Sequence, residues 1–248
     1  MKKKTFRNLN SLSIVIPFFN EKKRLHIAFK NINTFIKKKY INITEIVFVD
    51  DGSTDNGNIL IKKFFEKFKK KKNLTLKLIR IKKNNGKGYA LKRGCLKAKN
   101  NWILTTDLDF SVPLDHIIVW LKKKLISNET DIYFGSRALK TSVVKSAQYR
   151  LFVGKVFRLL IIFFLDILIK DTQCGFKLYK KKVAKKIFKE LRMYGFDHDL
   201  EIVLISKKYK FIIKELPVKW HHVNQSKLNL IKDSIKMFFG ILKLSFKK

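Results

Sequence analysis

Between residue 11 and about residue 136, short β-branched and aliphatic runs alternate with longer stretches in which apolar residues recur every three or four positions. No other feature limits the fold as strongly, because these two periods written in turn point to βαβ units around a mostly parallel sheet. The strand candidates are 12–16, 45–49, 74–81, 102–106 and 131–134. The helical stretches between them are 22–38, 56–70, 88–99 and 114–125, each long enough for a right-handed crossover.

In an open parallel sheet, ligands gather beyond the carboxyl ends of the strands, so the residues just after each strand carry the functional information. Four such segments are polar here: Asn20-Glu21 after Pro17, Asp50-Asp51-Gly52-Ser53, Asn84–Gly88, and Asp107-Leu108-Asp109. All four are expected on one rim. A two-residue period at the end of the fourth strand sends both carboxylates of Asp107 and Asp109 to one side and Leu108 to the core. Two oxygen donors with room for phosphate oxygens and water suit Mg²⁺ or Mn²⁺ on a diphosphate. Asp50 and Asp51, straight after an apolar strand, need hydrogen-bond partners in ligand or backbone. Asn85-Gly86-Lys87-Gly88 offers a cation at a helix N-terminus, which suits phosphate. It is neither the GxxxxGK[ST] loop nor a GxGxxG fingerprint, so ordinary NTPase and dinucleotide readings lose their support.

The chain carries 56 Lys and Arg against 19 Asp and Glu, a formal net charge of +37. That surplus favours anionic partners: nucleotide phosphates, nucleic acid or an acidic lipid surface. Nucleic acid is the rival from another class. It is weakened by the spread of lysines over the whole chain and by the lack of an RRM, KH, zinc-finger or helix-turn-helix pattern. Cys95 and Cys174 are too few and too far apart for a disulfide framework, so a reducing compartment is expected. The N-terminal residues lack the pattern of an export signal.

After residue 140 the texture changes to a long aromatic and aliphatic segment, 149–169, read as a core or interfacial helix. Its longest apolar stretch, 159–169, includes Asp166 and falls short of the roughly 20 residues that cross a bilayer. A second basic amphipathic helix is expected at 228–248, with Ile231, Ile235, Phe238, Phe239, Leu242 and Phe246 on its apolar stripe. His198, His221 and His222 lack metal-site spacing.

Several of these segments together resemble the ordered motif set of family 2 glycosyltransferases with the GT-A fold. They are Ser13–Glu21, Ile46–Asp55, Asn85–Ala90, Asp107–Asp109 and Gly135-Ser136-Arg137. Asp171-Thr-Gln-Cys-Gly-Phe-Lys177 and Phe196-Asp197 resemble the polyprenyl-phosphate sugar transferase branch, especially its dolichyl-phosphate β-glucosyltransferases. The resemblance implies an α/β GT-A domain over 8–220, followed by the basic amphipathic helix over 221–248. It implies an inverting hexose transfer, from UDP-glucose, onto a polyprenyl phosphate on the cytoplasmic face of a membrane, with the protein peripheral on its anionic surface. GDP-mannose is the alternative donor, and oligomeric state stays open.

By position, Pro17, Asn20, Glu21, Asp50, Asp51 and Ser53 are implied to hold the nucleoside, with Lys87 nearby. Asp107 and Asp109 are implied to hold the metal, with Ser111 loosely matched to a polar neighbour of it. Arg137 and Lys227 are implied to neutralise phosphate charge, Arg137 with its planar fork. Asp197 is a candidate for orienting sugar or acceptor, with Asp199 and Glu201 as rivals; capping the next helix is the other reading of Asp197.

Overall fold

The computed structural model describes residues 9–145, 158–195, 197–221 and 230–246. The alternating first half folds as read. Strand β1 (Ser11–Phe18) leads through a 3₁₀ turn, Lys22–Arg24, into α1 (Leu25–Lys37). Then follow β2 (Ile43–Asp50), α2 (Gly57–Glu66), β3 (Leu74–Arg80), α3 (Lys87–Lys97), β4 (Trp102–Thr105), α4 (His116–Lys122) and β5 (Ile132–Ser136).

The second half adds β6 (Val143–Lys145), a helix α5 at 158–165, β7 (Lys177–Lys180) and α6 (Lys181–Glu190). It ends with α7 (His198–Lys208), β8 (Ile213–Pro217), β9 (Lys219–His221) and α8 (Leu230–Ser245).

Seven strands form one sheet in the order β3-β2-β1-β4-β7-β5-β8, and β6 pairs with β9 in a small second sheet. All pairings in the large sheet are parallel except those of β7, which runs antiparallel to β4 and to β5. The register sets Phe18 opposite Asp50 and Asp50 opposite Arg80, so the ends of β1, β2 and β3 are level and their polar turns share a rim.

Successive side chains leave opposite faces of a strand, and here both faces are covered. Leu12, Ile14, Ile16, Ile46 and Phe48 belong to one core layer with Leu25, Ile32, Ile61 and Trp120 of the helices on that face. Val15, Val47 and Val49 belong to the other, with Leu91 of α3, Ile187 of α6, Leu200 of α7 and Ile241 of α8.

Three expectations change in detail. The apolar segment expected as one helix over 149–169 is helical at 158–165 in its described part. It stops at Asp166, whose φ of 52° places it in the left-handed region that ends helices. Among the described hydrophobic side chains of α8, Ile241 and Leu244 are buried, while Phe238, Phe239 and Phe246 of the expected stripe are exposed. The helix docks by a neighbouring face, because Gly240 lets its backbone approach Asp197: a Cβ there would lie 2.7 Å from the Asp197 Cβ. The boundary expected at 220/221 runs through β9, and α8 shares the core of the domain before it.

Candidate active site

The tips of β1 and β2 are clasped by their own polar residues. Asn20, with φ of 52°, donates its backbone N–H to Ser53 Oγ at 2.9 Å and accepts the Thr54 N–H on Oδ1 at 2.8 Å. Ser53 in turn donates its N–H to Asp50 Oδ1 at 2.8 Å. Asp50 is fully buried, with the Arg80 guanidinium 3.5 Å from its other oxygen. Pro17 lies buried near the end of β1, and Glu21 pairs with Arg24 at 3.2 Å.

Asp51 is engaged by backbone on the neighbouring loop. Its two oxygens accept the N–H groups of Asn85 at 3.1 Å and Gly86 at 2.8 Å, so the carboxylate shapes the loop that launches α3. Burial, with Asp50 adding like charge, raises its pKa despite those bonds.

The loop so held ends in Lys87, the first residue of α3, whose Nζ lies 2.6 Å from Asp107 Oδ1. Asp107 and Asp109 do not extend β4, which stops at Thr105. They sit in a turn closed by the Phe110 N–H on the Asp107 carbonyl at 3.2 Å, with Phe110 at φ of 49°. The two-residue strand period therefore does not apply, yet Leu108 is buried and both carboxylates stay partly open, because the turn repeats that alternation. Ser111 donates its N–H to Asp109 Oδ1 at 3.0 Å. Burial and the neighbouring Asp107 charge push the Asp109 pKa up. Lys87 goes the other way: burial opposes its charge, but Asp107, Asp199 and Asp109 hold it well above the ordinary lysine range.

Gly175 supplies the wall against which Asp107 rests. A Cβ there would stand 2.7 Å from Asp107 Cγ, so the carboxylate occupies the space a side chain would take. The loop carrying Gly175 is tied to β4 by Thr105 Oγ1, which donates to the Gly175 carbonyl at 3.0 Å.

Arg137, just past β5, is committed to Asp171. Its Nε and one amino group meet the two carboxylate oxygens at 2.7 and 2.9 Å, and its backbone N–H adds a third bond at 2.8 Å. Against the effect of burial, that guanidinium keeps Asp171 below the usual carboxylate range. The Arg137 fork also lies 5.8 Å from the Trp220 ring.

Beneath the rim, Lys177 of β7 and Asp199 of α7 form a buried ion pair, with His198 Nε2 3.3 Å from the same Asp199 oxygen. Burial keeps the His198 pKa low. Burial works against the Asp199 charge, but His198, Lys177 and Lys87 hold its pKa down.

Asp197 stands at the N-cap position of α7 but makes no side-chain cap bond, and its Oδ1 has no hydrogen-bond partner among the described residues. Glu201 accepts the N–H groups of Arg192 and Met193, a local structural use. Lys227 and Phe196 lie outside the described residues.

The acidic turn thus gathers Asp107, Asp109, Lys87 and Arg137, whereas Asn20, Asp50 and Ser53 organise the adjoining tips. Asp171, Gly175 and Lys177 stand in the sequence only as parts of the 171–177 segment. Their roles arise from contacts between segments far apart in the chain.

No cluster of three or more His, Cys, Asp or Glu side chains that could hold a metal occurs among the described residues. The chemistry on offer is two carboxylates: Asp109, whose charge burial and Asp107 disfavour, and Asp107, already matched by the Lys87 ammonium. That donor set fits a divalent ion whose remaining ligands come from phosphate and water.

The mixed sheet with an acidic turn past its fourth strand defines a GT-A type transferase fold. Glucosyl-3-phosphoglycerate synthase from Mycobacterium tuberculosis, solved with Mn²⁺, UDP and phosphoglyceric acid, has this fold with a TM-score of 0.68 at 14% identity, covering 95% of this chain and 78% of that one. The chain belongs to glycosyltransferase family 2, described as Glycosyl transferase family 2, whose model matches residues 13–188. It is 34% identical to the dolichyl-phosphate beta-glucosyltransferase of Saccharomyces cerevisiae, over 91% of this chain and 71% of that protein. It is 31% identical to the enzyme of the same name from Dictyostelium discoideum, over 95% of this chain and 74% of that protein.

Proposed function

We propose that the protein moves glucose from UDP-glucose, with inversion, onto the phosphate of a polyprenyl phosphate at a membrane surface. The observation that carries this reading is the rim itself, Asp107 and Asp109 set beside Lys87 and Arg137, in a chain whose relatives are named for this transfer.

In this reading Asp107 and Asp109 hold Mg²⁺ or Mn²⁺, which, when bound, stabilises negative charge on the departing diphosphate. Pro17, Asn20, Glu21, Asp50, Asp51 and Ser53 line the nucleoside end, and Asp51 also shapes the loop before Lys87. Lys87 turns from Asp107 to the diphosphate. Arg137, pre-set by Asp171, and Lys227 meet phosphate oxygens, and Asp197 faces sugar or acceptor.

A phosphate monoester has a second pKa of about 6, so at neutral pH the acceptor oxygen is already anionic and needs no strong base. It attacks the anomeric carbon on the face opposite the diphosphate; the new C–O bond forms as the bond to the diphosphate breaks. Most of the rate then comes from positioning and from charge stabilisation at the leaving group.

Exposed apolar side chains support a membrane seat: Leu159 and Phe163 on α5, Leu168 just beyond it, and Phe238, Phe239 and Phe246 at the end of the chain. The net charge of +37 supports an anionic leaflet, where each nearby lysine contributes about 1 kcal/mol. Among the described residues no helix is long and apolar enough to cross a membrane, so the seat is peripheral in this reading. The unpaired, buried Cys95 and Cys174 fit its reducing, cytoplasmic side.

The test is a donor panel with a short-chain polyprenyl phosphate and Mg²⁺ or Mn²⁺. UDP-glucose should give glucosyl phospholipid, GDP-mannose should not, and Asp109→Ala should make no product. Transfer from GDP-mannose alone would replace the sugar, and no consumption of any nucleotide-sugar would remove the reading altogether.

A further inference from the structure

The carboxylate that receives the Arg137 fork also organises Gln173. Asp171 Oδ1 accepts the Gln173 backbone N–H at 3.2 Å, two residues along the same turn. The Gln173 side-chain Nε2 is closed off from solvent and has no hydrogen-bond partner among the described residues. Gln173 lines a cavity of about 30 Å³, with Asp107, Ser111, Arg137, Gly175 and Trp220 among its other walls. That volume holds about one water-sized group.

A buried amide N–H left without an acceptor is destabilising, and native chains keep few of them, commonly where a ligand completes the bond. The surroundings select that ligand. A neutral donor stands with a guanidinium that spends only Nε and one amino group on Asp171. Asp107 of the acidic turn is another wall of the cavity. Gln173 and Arg137 both wall this cavity beside the acidic turn, and a single phosphate oxygen suits a water-sized space lined by such donors.

We infer that Gln173 donates its side-chain N–H to a phosphate oxygen held beside Arg137, a binding role that rests on the transfer reading above. The phosphate comes either from the polyprenyl acceptor or from the nucleotide diphosphate. Asp171 is then a positioning residue for two phosphate donors at once.

The experiment compares wild type with Gln173→Met, which keeps length but removes the donor, and with Gln173→Glu, which keeps shape but offers an acceptor. Three quantities are measured: KM for a short polyprenyl phosphate at saturating UDP-glucose and Mn²⁺, Kd for UDP with Mn²⁺ by calorimetry, and Tm. Gln173→Met should melt at or above the wild-type temperature, because it removes an unsatisfied group. It should raise one of the two constants about tenfold, the size expected for one lost hydrogen bond to a charged group. Gln173→Glu should raise the same constant further.

A rise in acceptor KM assigns the lipid phosphate, and a rise in UDP Kd assigns the diphosphate. If both constants stay within twofold of wild type in both variants, or if Gln173→Met lowers Tm while leaving them unchanged, the inference is overturned. Wild type inert with every sugar defeats the transfer reading instead; Kd for UDP and Kd for the short polyprenyl phosphate, both by calorimetry, then decide the role of Gln173, and values unchanged in both variants overturn it.

Discussion

Asp109 is the residue at which stability and the proposed activity pull apart. Its carboxylate is half-buried beside Asp107, and burial together with that like charge raises its pKa. A charge that the fold disfavours is kept where a cation relieves it. Asp109→Asn keeps the acceptor for the Ser111 N–H and removes the repulsion, so without metal it should raise Tm by about 2–4 °C, the equivalent of 1 kcal/mol in a chain of this size. The same variant should lose at least about a hundredfold in Mn²⁺-dependent transfer, the scale of removing one charge-stabilising group. A variant that melts lower and still turns over would contradict both halves. Gly175→Ala makes the complementary point: the added methyl displaces the Asp107 carboxylate, so metal affinity should fall, read by Mn²⁺ titration, while circular dichroism stays native.

At the level of elements, the reversed strand β7 ties the two halves of the molecule together. It enters between β4 and β5, and its first residue, Lys177, is buried against Asp199 at the start of α7. Breaking a buried pair strands the remaining charge, whereas replacing both partners with apolar groups is often close to neutral. Lys177→Met alone should therefore lower unfolding free energy by about 3–5 kcal/mol in urea titration, and Lys177→Met with Asp199→Leu should recover most of it. Equal losses in the single and double variants would show that the pair does not act as a unit.

For the whole molecule, several buried carboxylates share one sign of shift. Burial opposes charge on Glu45, but Lys77, Ser13 and the Lys99 N–H hold its pKa below 4.5. Asp171 and Asp199 are held below 3.8 in the same way by their cations. A depressed folded-state pKa contributes stability that is present above the unfolded value and lost as pH falls through the folded one. Tm should therefore hold between pH 7 and about 5 and fall below about pH 4.5, steepened by self-repulsion as the carboxylates protonate in a chain already at +37. Asp51 and Asp109, with raised values, act in the opposite sense and protonate earlier in the titration, which softens the onset. A Tm that stays level or rises down to pH 3 would refute this assignment.

The parallel half of the fold was legible in the chain because burial on both faces of a sheet forces near-continuous apolar strands, and crossover helices force a second period between them. Those two local patterns marked β1 to β5 and their helices, and the polar residues after them marked the rim. The last strands were not legible: Lys177-Leu-Tyr-Lys180 is four residues long with lysine at both ends, and becomes a strand only because β4 and β5 leave a gap that it fills. The same holds for particular residues of the site. Asp107 and Asp109 announce themselves by spacing, but the use of Asp51 on the loop before Lys87, the commitment of Arg137 to Asp171, and the need for Gly175 behind Asp107 depend on contacts across tens of residues. Local periodicity carries the order of elements, since it acts between near neighbours. Which charges meet is decided only when the sheet closes and desolvation leaves each buried charge in need of a partner.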